Sequence, residues 1–185
     1  MKNTANSRTN PFSTSETLQI RQTNRERLSQ LQPAIVFDWK RTLYDPNSRQ
    51  LINGTNELLD FLHQNAVPMF LVGLGGDEMY AETDRLGVAG YFSAILFRDG
   101  KKSPDWYAET IPDFHSGMIF VGDKLDSEIE VGNKLGNCTV RVRQGEFAIE
   151  FPESSAQTPD YTLESLSDAQ QLLARLLEID EQQIA

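Results

Sequence analysis

A chain of 185 residues with 39% hydrophobic side chains suits one ordinary domain plus a tail, and no stretch approaches a membrane span. A formal net charge of −10 argues against nucleic acid or an anionic membrane as the main partner, since both reward basic surfaces. The single cysteine, Cys138, excludes an internal disulfide and a thiolate metal cluster, and its place at the head of "CTVRV" marks a buried strand thiol.

Residues 1–32 are rich in Ser, Thr, Asn and Arg and lack the apolar core of a secretory signal, so they read as a partly flexible tail leading into one helix. A cytoplasmic location follows by default. Residues 14–31 are a candidate lid or dimerisation helix, weighed against a mobile tail. From 33 to 180 the pattern changes. "AIVF" (34–37) is a continuous apolar run of the kind found in strands buried on both faces. "INGTNELLDFLHQNA" carries Leu58, Leu59, Phe61 and Leu62 at helical spacing, with Asn53 or Thr55 as candidate N-cap. "VPMFLV" (67–72) is a second buried strand, and "DEMYAETDRLG" a helix opened by Asp77 and closed by Gly87.

A short strand "SAILF" (93–97) follows, then a loop with "DGKKSP" and a helix from Pro104 to Thr110. "GMIFVGD" gives a fourth strand, "DSEIEVGNKLG" a helix, "CTVRV" a fifth strand, "DYTL" a last one, and "LSDAQQLLARLLEI" an amphipathic helix. Strands alternating with helices predict an α/β domain: a Rossmann-like three-layer α/β/α sandwich with a mainly parallel sheet. His63 on a helix and His115 in a loop have no second ligand at metal spacing and read as structural or surface residues.

Two strands end on a carboxylate, Asp38 after "IVF" and Asp123 after "IFVG". In a parallel sheet the two tips share an edge, where ligands dock. Acids converging in a dry crevice repel unless a cation bridges them, and oxygen ligands favour Mg²⁺. Lys101 and Lys102, after the third strand, can bring positive charge to the same edge.

The order strand-Asp, strand, Lys-x-x-Pro, strand-Gly-Asp resembles the haloacid dehalogenase superfamily. The resemblance is carried by "IVFDWKRTLYD", "LGVAGYFSAILF", "GKKSPDWY" and "VGDKLDSEIEVGNKLG". It implies a Mg²⁺-dependent phosphohydrolase acting through an aspartyl-phosphate on Asp38. The ion would be held by Asp38, the backbone carbonyl of Lys40 and Asp123, with Glu128, or alternatively Asp126, as the second acid of that motif. Lys101 or Lys102 would neutralise the nucleophile and the phosphoryl oxygens. Thr42 and Gly73 fall at phosphate-binding positions.

The pattern departs from the family in three places. Lys40 stands where its phosphatases carry the Asp that protonates the leaving oxygen, and Arg41 replaces the following Gly. Gly73 replaces a Ser or Thr. Lys40 is thus either a phosphate clamp or atypical acid beside an active Asp38, or a built-in counter-ion of a degenerate site that binds a partner or phosphorylated ligand without turnover. Residues 43–54 and 74–100 are too short for a cap domain, so the resemblance implies an open site suited to a large phosphorylated substrate, or to a lid supplied by a second copy or a protein partner.

Overall fold

In the computed structural model, residues 33–111, 114 and 117–179 are described; the tail 1–32, with the candidate segment 14–31, and His115 lie outside them. The elements in chain order are β1 (Ile35–Phe37), a hairpin of β2 (Tyr44–Asp45) and β3 (Gln50–Leu51), α1 (Thr55–Gln64), β4 (Met69–Leu74), α2 (Asp77–Arg85) and β5 (Ala94–Arg98). They continue with α3 (Pro104–Thr110), β6 (Ile119–Gly122), a π-helical turn (Leu125–Ile129) running into α4 (Glu130–Lys134), β7 (Cys138–Val142), β8 (Tyr161–Leu163) and α5 (Ala169–Leu176).

Six strands pair in the order β5-β4-β1-β6-β7-β8, every neighbour parallel. Phe37 of β1 aligns with Leu71 of β4 on one side and Val121 of β6 on the other. The period of two along each strand divides the core. Ile35, Phe37, Leu71, Ile119, Val121 and Val140 pack with α1, α2 and α5, while Val36, Phe70, Val72 and Phe120 pack with α3 and α4. Helices on both faces make the three layers expected from the sequence.

The chain moves outward from β1 to β4 and β5, then returns to the far side of β1 as β6. The order therefore reverses between β1 and β6, and the crevice beyond the carboxyl ends of such neighbours is where open α/β sheets bind ligands. Asp38 and Asp123 are the residues that follow β1 and β6.

Two local expectations are corrected. The N-cap of α1 is Gly54, in the left-handed region at φ 90, not Asn53 or Thr55. Thr55 spends its hydroxyl on the Leu43 carbonyl (3.0 Å) and Asn53 donates to Ser167 Oγ (3.2 Å). A Cβ on Gly54 would meet the Ser167 Cα at 2.9 Å, so only glycine fits that crossing. The β2–β3 hairpin was not anticipated, because two-residue strands carry no readable period. It is fixed instead by side chains: Trp39, fully buried, stacks on Tyr44 at 4.9 Å with planes 4° apart and meets the edge of Phe97 at 6.2 Å. Buried Glu82 on α2 accepts from Tyr44 Oη (3.2 Å) and pairs with Arg49 and Arg85.

Candidate active site

Asp38 continues the ladder of β1, donating its N–H to the Val121 carbonyl at 2.9 Å. Asp123 ends β6, and the π-helical turn after it folds back over the strand. A Cβ on Gly122 would lie 2.7 Å from Glu128 Cβ, so glycine there lets Glu128 lie on the strand backbone. The turn sends Glu128 inward and leaves Asp126 half-exposed, paired with Lys124 at 3.2 Å. Asp38, Asp123 and Glu128, all buried, each offer an oxygen within 4.8 Å of the others.

Lys102 closes this cluster. Its fully buried Nζ donates to Asp38 Oδ1 and to Glu128 Oε1, the latter at 2.6 Å. Ser127 Oγ adds a bond to Glu128 Oε1 (2.8 Å), and Thr42 Oγ1 donates to Asp38 Oδ2 (3.2 Å). Lys101 is exposed outside the cluster. Burial and then the Glu128 charge push the Asp38 carboxyl up to about 6, against the pull of Lys102. Burial, then the Asp38 and Glu128 charges, raise Asp123 to about 8. Burial alone would depress the Lys102 ammonium, but Asp38 and Glu128 hold it above the ordinary lysine range.

Three carboxylates face one ammonium, and Asp123 Oδ2 and Glu128 Oε2 are buried without a hydrogen-bond partner. Orphaned acceptors in a desolvated acidic cluster are costly unless a cation meets them. A hard divalent ion with oxygen ligands fits this donor set.

Lys40 does not turn back onto Asp38; Lys102 holds that place. The Lys40 ammonium lies beside the β4–α2 turn, 3.5 Å from where a Cβ of Gly75 would stand, and its charge lowers the Glu78 carboxyl, secondarily to backbone hydrogen bonds from Gly76 and Glu78 itself. Arg41 adopts φ 66, a left-handed conformation costing a non-glycine residue roughly 1–2 kcal/mol. Gln144 Nε2 donates to its carbonyl (3.1 Å), Glu146 pairs with its guanidinium (2.7 Å), and the Phe147 ring lies 5.1 Å from it. Lys124 sits on the same ring, also at 5.1 Å. Gly73 is packed shut: a Cβ there would meet Phe97 Cε1 at 2.6 Å.

Two buried charged residues were not read from the sequence. Glu82 looked like any acid on an amphipathic helix. Buried Arg141 donates to the carbonyls of Asp123 (3.4 Å), Glu150 (3.0 Å) and Phe147 (2.5 Å), tying the tip of β6 to the loop that carries Phe147. A cation inside the apolar run "CTVRV" was the available signal for it.

The HAD-hydrolase-like family model matches residues 98–169. A glyceraldehyde 3-phosphate phosphatase of Methanopyrus kandleri is 26% identical over 87 residues, 43% of this chain, and the match spans 37% of that relative's length. Among solved structures, an uncharacterized protein from Listeria monocytogenes serotype 4b superposes with a TM-score of 0.67 at 16% identity, over 80% of this chain and 99% of that one. A HAD phosphatase from Thermococcus onnurineus gives 0.63 at 17% identity, over 76% and 97%. At such identities these structures share the fold. Over residues 98–169 the chain is thus similar in sequence to haloacid dehalogenase-like hydrolases, and over most of its length it shares their fold.

Proposed function

We propose that the chain is a Mg²⁺-dependent phosphohydrolase in which Asp38 attacks phosphorus and the resulting aspartyl-phosphate is hydrolysed by water. The observation that carries this reading is the convergence of Asp38, Asp123 and Glu128 with two buried acceptors left unpartnered. Asp38, Asp123 and the Lys40 backbone carbonyl would hold the ion, with Glu128 completing the acidic wall; the ion would supply charge neutralisation for the phosphoryl oxygens. Lys102, rather than Lys101, orients Asp38 and offsets its charge, and Thr42 fixes the second Asp38 oxygen. Catalysis here is positioning and charge stabilisation more than covalent work.

Only a short hairpin of two-residue strands follows Asp38, which leaves the rim open to large phosphorylated substrates or to a lid from a second copy or a protein partner. The setting we propose is cytoplasmic, with residues 33–180 acting as one unit and neither nucleic acid nor membrane taking part. Among the described residues no helix is long and apolar enough to cross a membrane. The test is hydrolysis of p-nitrophenyl phosphate by the full chain: turnover should require Mg²⁺ and vanish in Asp38→Asn. Equal rates for the two proteins would refute the reading.

Two observations favour a second reading, a degenerate member that binds a partner or phosphorylated ligand. Phe97 fills the space that a side chain at position 73 would take, and Lys40 stands where the resemblance calls for an acid. Millimolar Mg²⁺ should then leave the melting temperature unchanged, whereas a bound ion raises it.

A further inference from the structure

In-line displacement on phosphorus puts the leaving oxygen opposite the attacking Asp38 oxygen, away from the buried cluster and toward the rim. Among the described residues that rim carries three cations. Lys40 faces the β4–α2 turn, and Arg41 and Lys124 share the Phe147 ring. The loop accepts a left-handed residue at Arg41 to keep a guanidinium there, then secures it with Gln144 and Glu146. Backbone outliers held by several contacts cluster at working sites.

Three carboxylates of the rim are already engaged. Glu146 pairs with Arg41, Asp126 with Lys124, and Glu78 accepts from the Gly76 N–H at 3.1 Å. His63, the described histidine, sits at the end of α1 remote from the strand tips, packed on Tyr91. Among the described residues the rim therefore presents ion pairs in which Glu146 and Asp126 are held by cations, and Glu78 by a backbone N–H, so that none of the three is free to protonate a departing oxygen.

We infer, building on the phosphohydrolase reading, that this site serves phosphoryl donors whose leaving group departs as a stable anion: acyl phosphates, phosphoanhydrides and phenolic phosphates, not alkyl monoesters. Asp38 forms a bond to phosphorus as the bond to the leaving oxygen breaks, and the electron pair stays on that oxygen. A carboxylate, phosphate or phenolate keeps the pair without a proton, and Lys40 stabilises it by charge. Water then adds to phosphorus as the Asp38–phosphorus bond breaks, returning Asp38 as a carboxylate and carrying both hydrogens off on inorganic phosphate.

The experiment measures kcat/KM of the full chain with Mg²⁺ for acetyl phosphate, phenyl phosphates of graded leaving-group acidity, and glycerol 3-phosphate. The expected result is a steep fall as the leaving group becomes more basic, with acetyl phosphate ahead of glycerol 3-phosphate by about 10² or more, the loss typical of a missing general acid. Lys40→Asp should flatten the series by raising alkyl-ester turnover. A shallow wild-type series, with glycerol 3-phosphate within a factor of about ten of acetyl phosphate, overturns the leaving-group inference while leaving the hydrolase reading intact. No donor turned over faster than by Asp38→Asn overturns both.

Discussion

Glu128 lies across the backbone of Gly122, so close that a Cβ on the glycine would stand 2.7 Å from both its Cβ and Cγ and 3.0 Å from Oε2. The strand tip that ends in Asp123 is thereby in contact with the turn that returns Glu128 to it. The glycine before the aspartate is a space requirement, since the second acid reaches Lys102 by passing over it.

Gly122→Ala should therefore push Glu128 off Lys102. Overpacking of this kind costs about 1–3 kcal/mol. Melting curves with and without Mg²⁺ check it: the variant should melt lower and lose most of any metal-induced rise. A wild-type metal response would show that Glu128 can move without consequence.

Lys102→Met removes the ammonium from between Asp38 and Glu128. Breaking a buried pair by deleting one partner costs about 3–5 kcal/mol, because the remaining charge is stranded. Urea unfolding near neutral pH in the presence of a chelator should show that deficit. It should shrink in acid, where the carboxylates take up protons.

The carboxyls of Asp38 and Asp123, raised to about 6 and about 8, bind protons more tightly in the folded chain than in the unfolded one. Their effect on metal-free stability is least harmful in acid, and it grows more unfavourable as pH climbs from the ordinary carboxylate range through 8. Asp123→Asn should flatten the upper part of that decline in denaturant titrations run across pH. Added Mg²⁺ should oppose it, binding more tightly as pH rises.

Glu82 acts with the opposite sign. Hydrogen bonds from Arg85 and Arg49 lower its carboxyl to about 2, so its contribution is complete above the ordinary carboxylate range and is lost as pH falls toward 2. Glu82→Gln should lower the melting temperature at neutral pH and weaken the acid dependence. Because Glu82 ties Tyr44 and Arg49 to α2, hydrogen exchange should quicken in residues 44–51. Unchanged exchange there would mean that the Trp39–Tyr44 stack alone holds the hairpin.

The strands were legible because a sheet covered on both faces demands continuous apolar runs, and "AIVF", "MIFVG" and "CTVRV" supply them. Their order also placed Asp38 and Asp123 on one edge. The choice between Lys101 and Lys102 was not legible: adjacent residues in an extended loop point to opposite sides, and only the path into α3 decides which is buried. The same holds for Asp126 and Glu128. A π-helical turn displaces side chains from α-helical positions, and nothing in "DKLDSEIE" announces it. Glu82 escaped notice because Tyr44 and Arg49 lie far from it in sequence, and Arg141 because its partners are backbone carbonyls.

Trp39 has one further consequence. The chain holds two tryptophans, and Trp106 stands on α3 with the Arg98 guanidinium 4.8 Å from its ring. Replacing it with phenylalanine would leave a lone indole, sealed from solvent one residue after Asp38, its Nε1 without a hydrogen-bond partner. The fold thus furnishes an intrinsic fluorophore beside the proposed nucleophile, and phosphorylation or ion loading could be followed by emission without attaching a label.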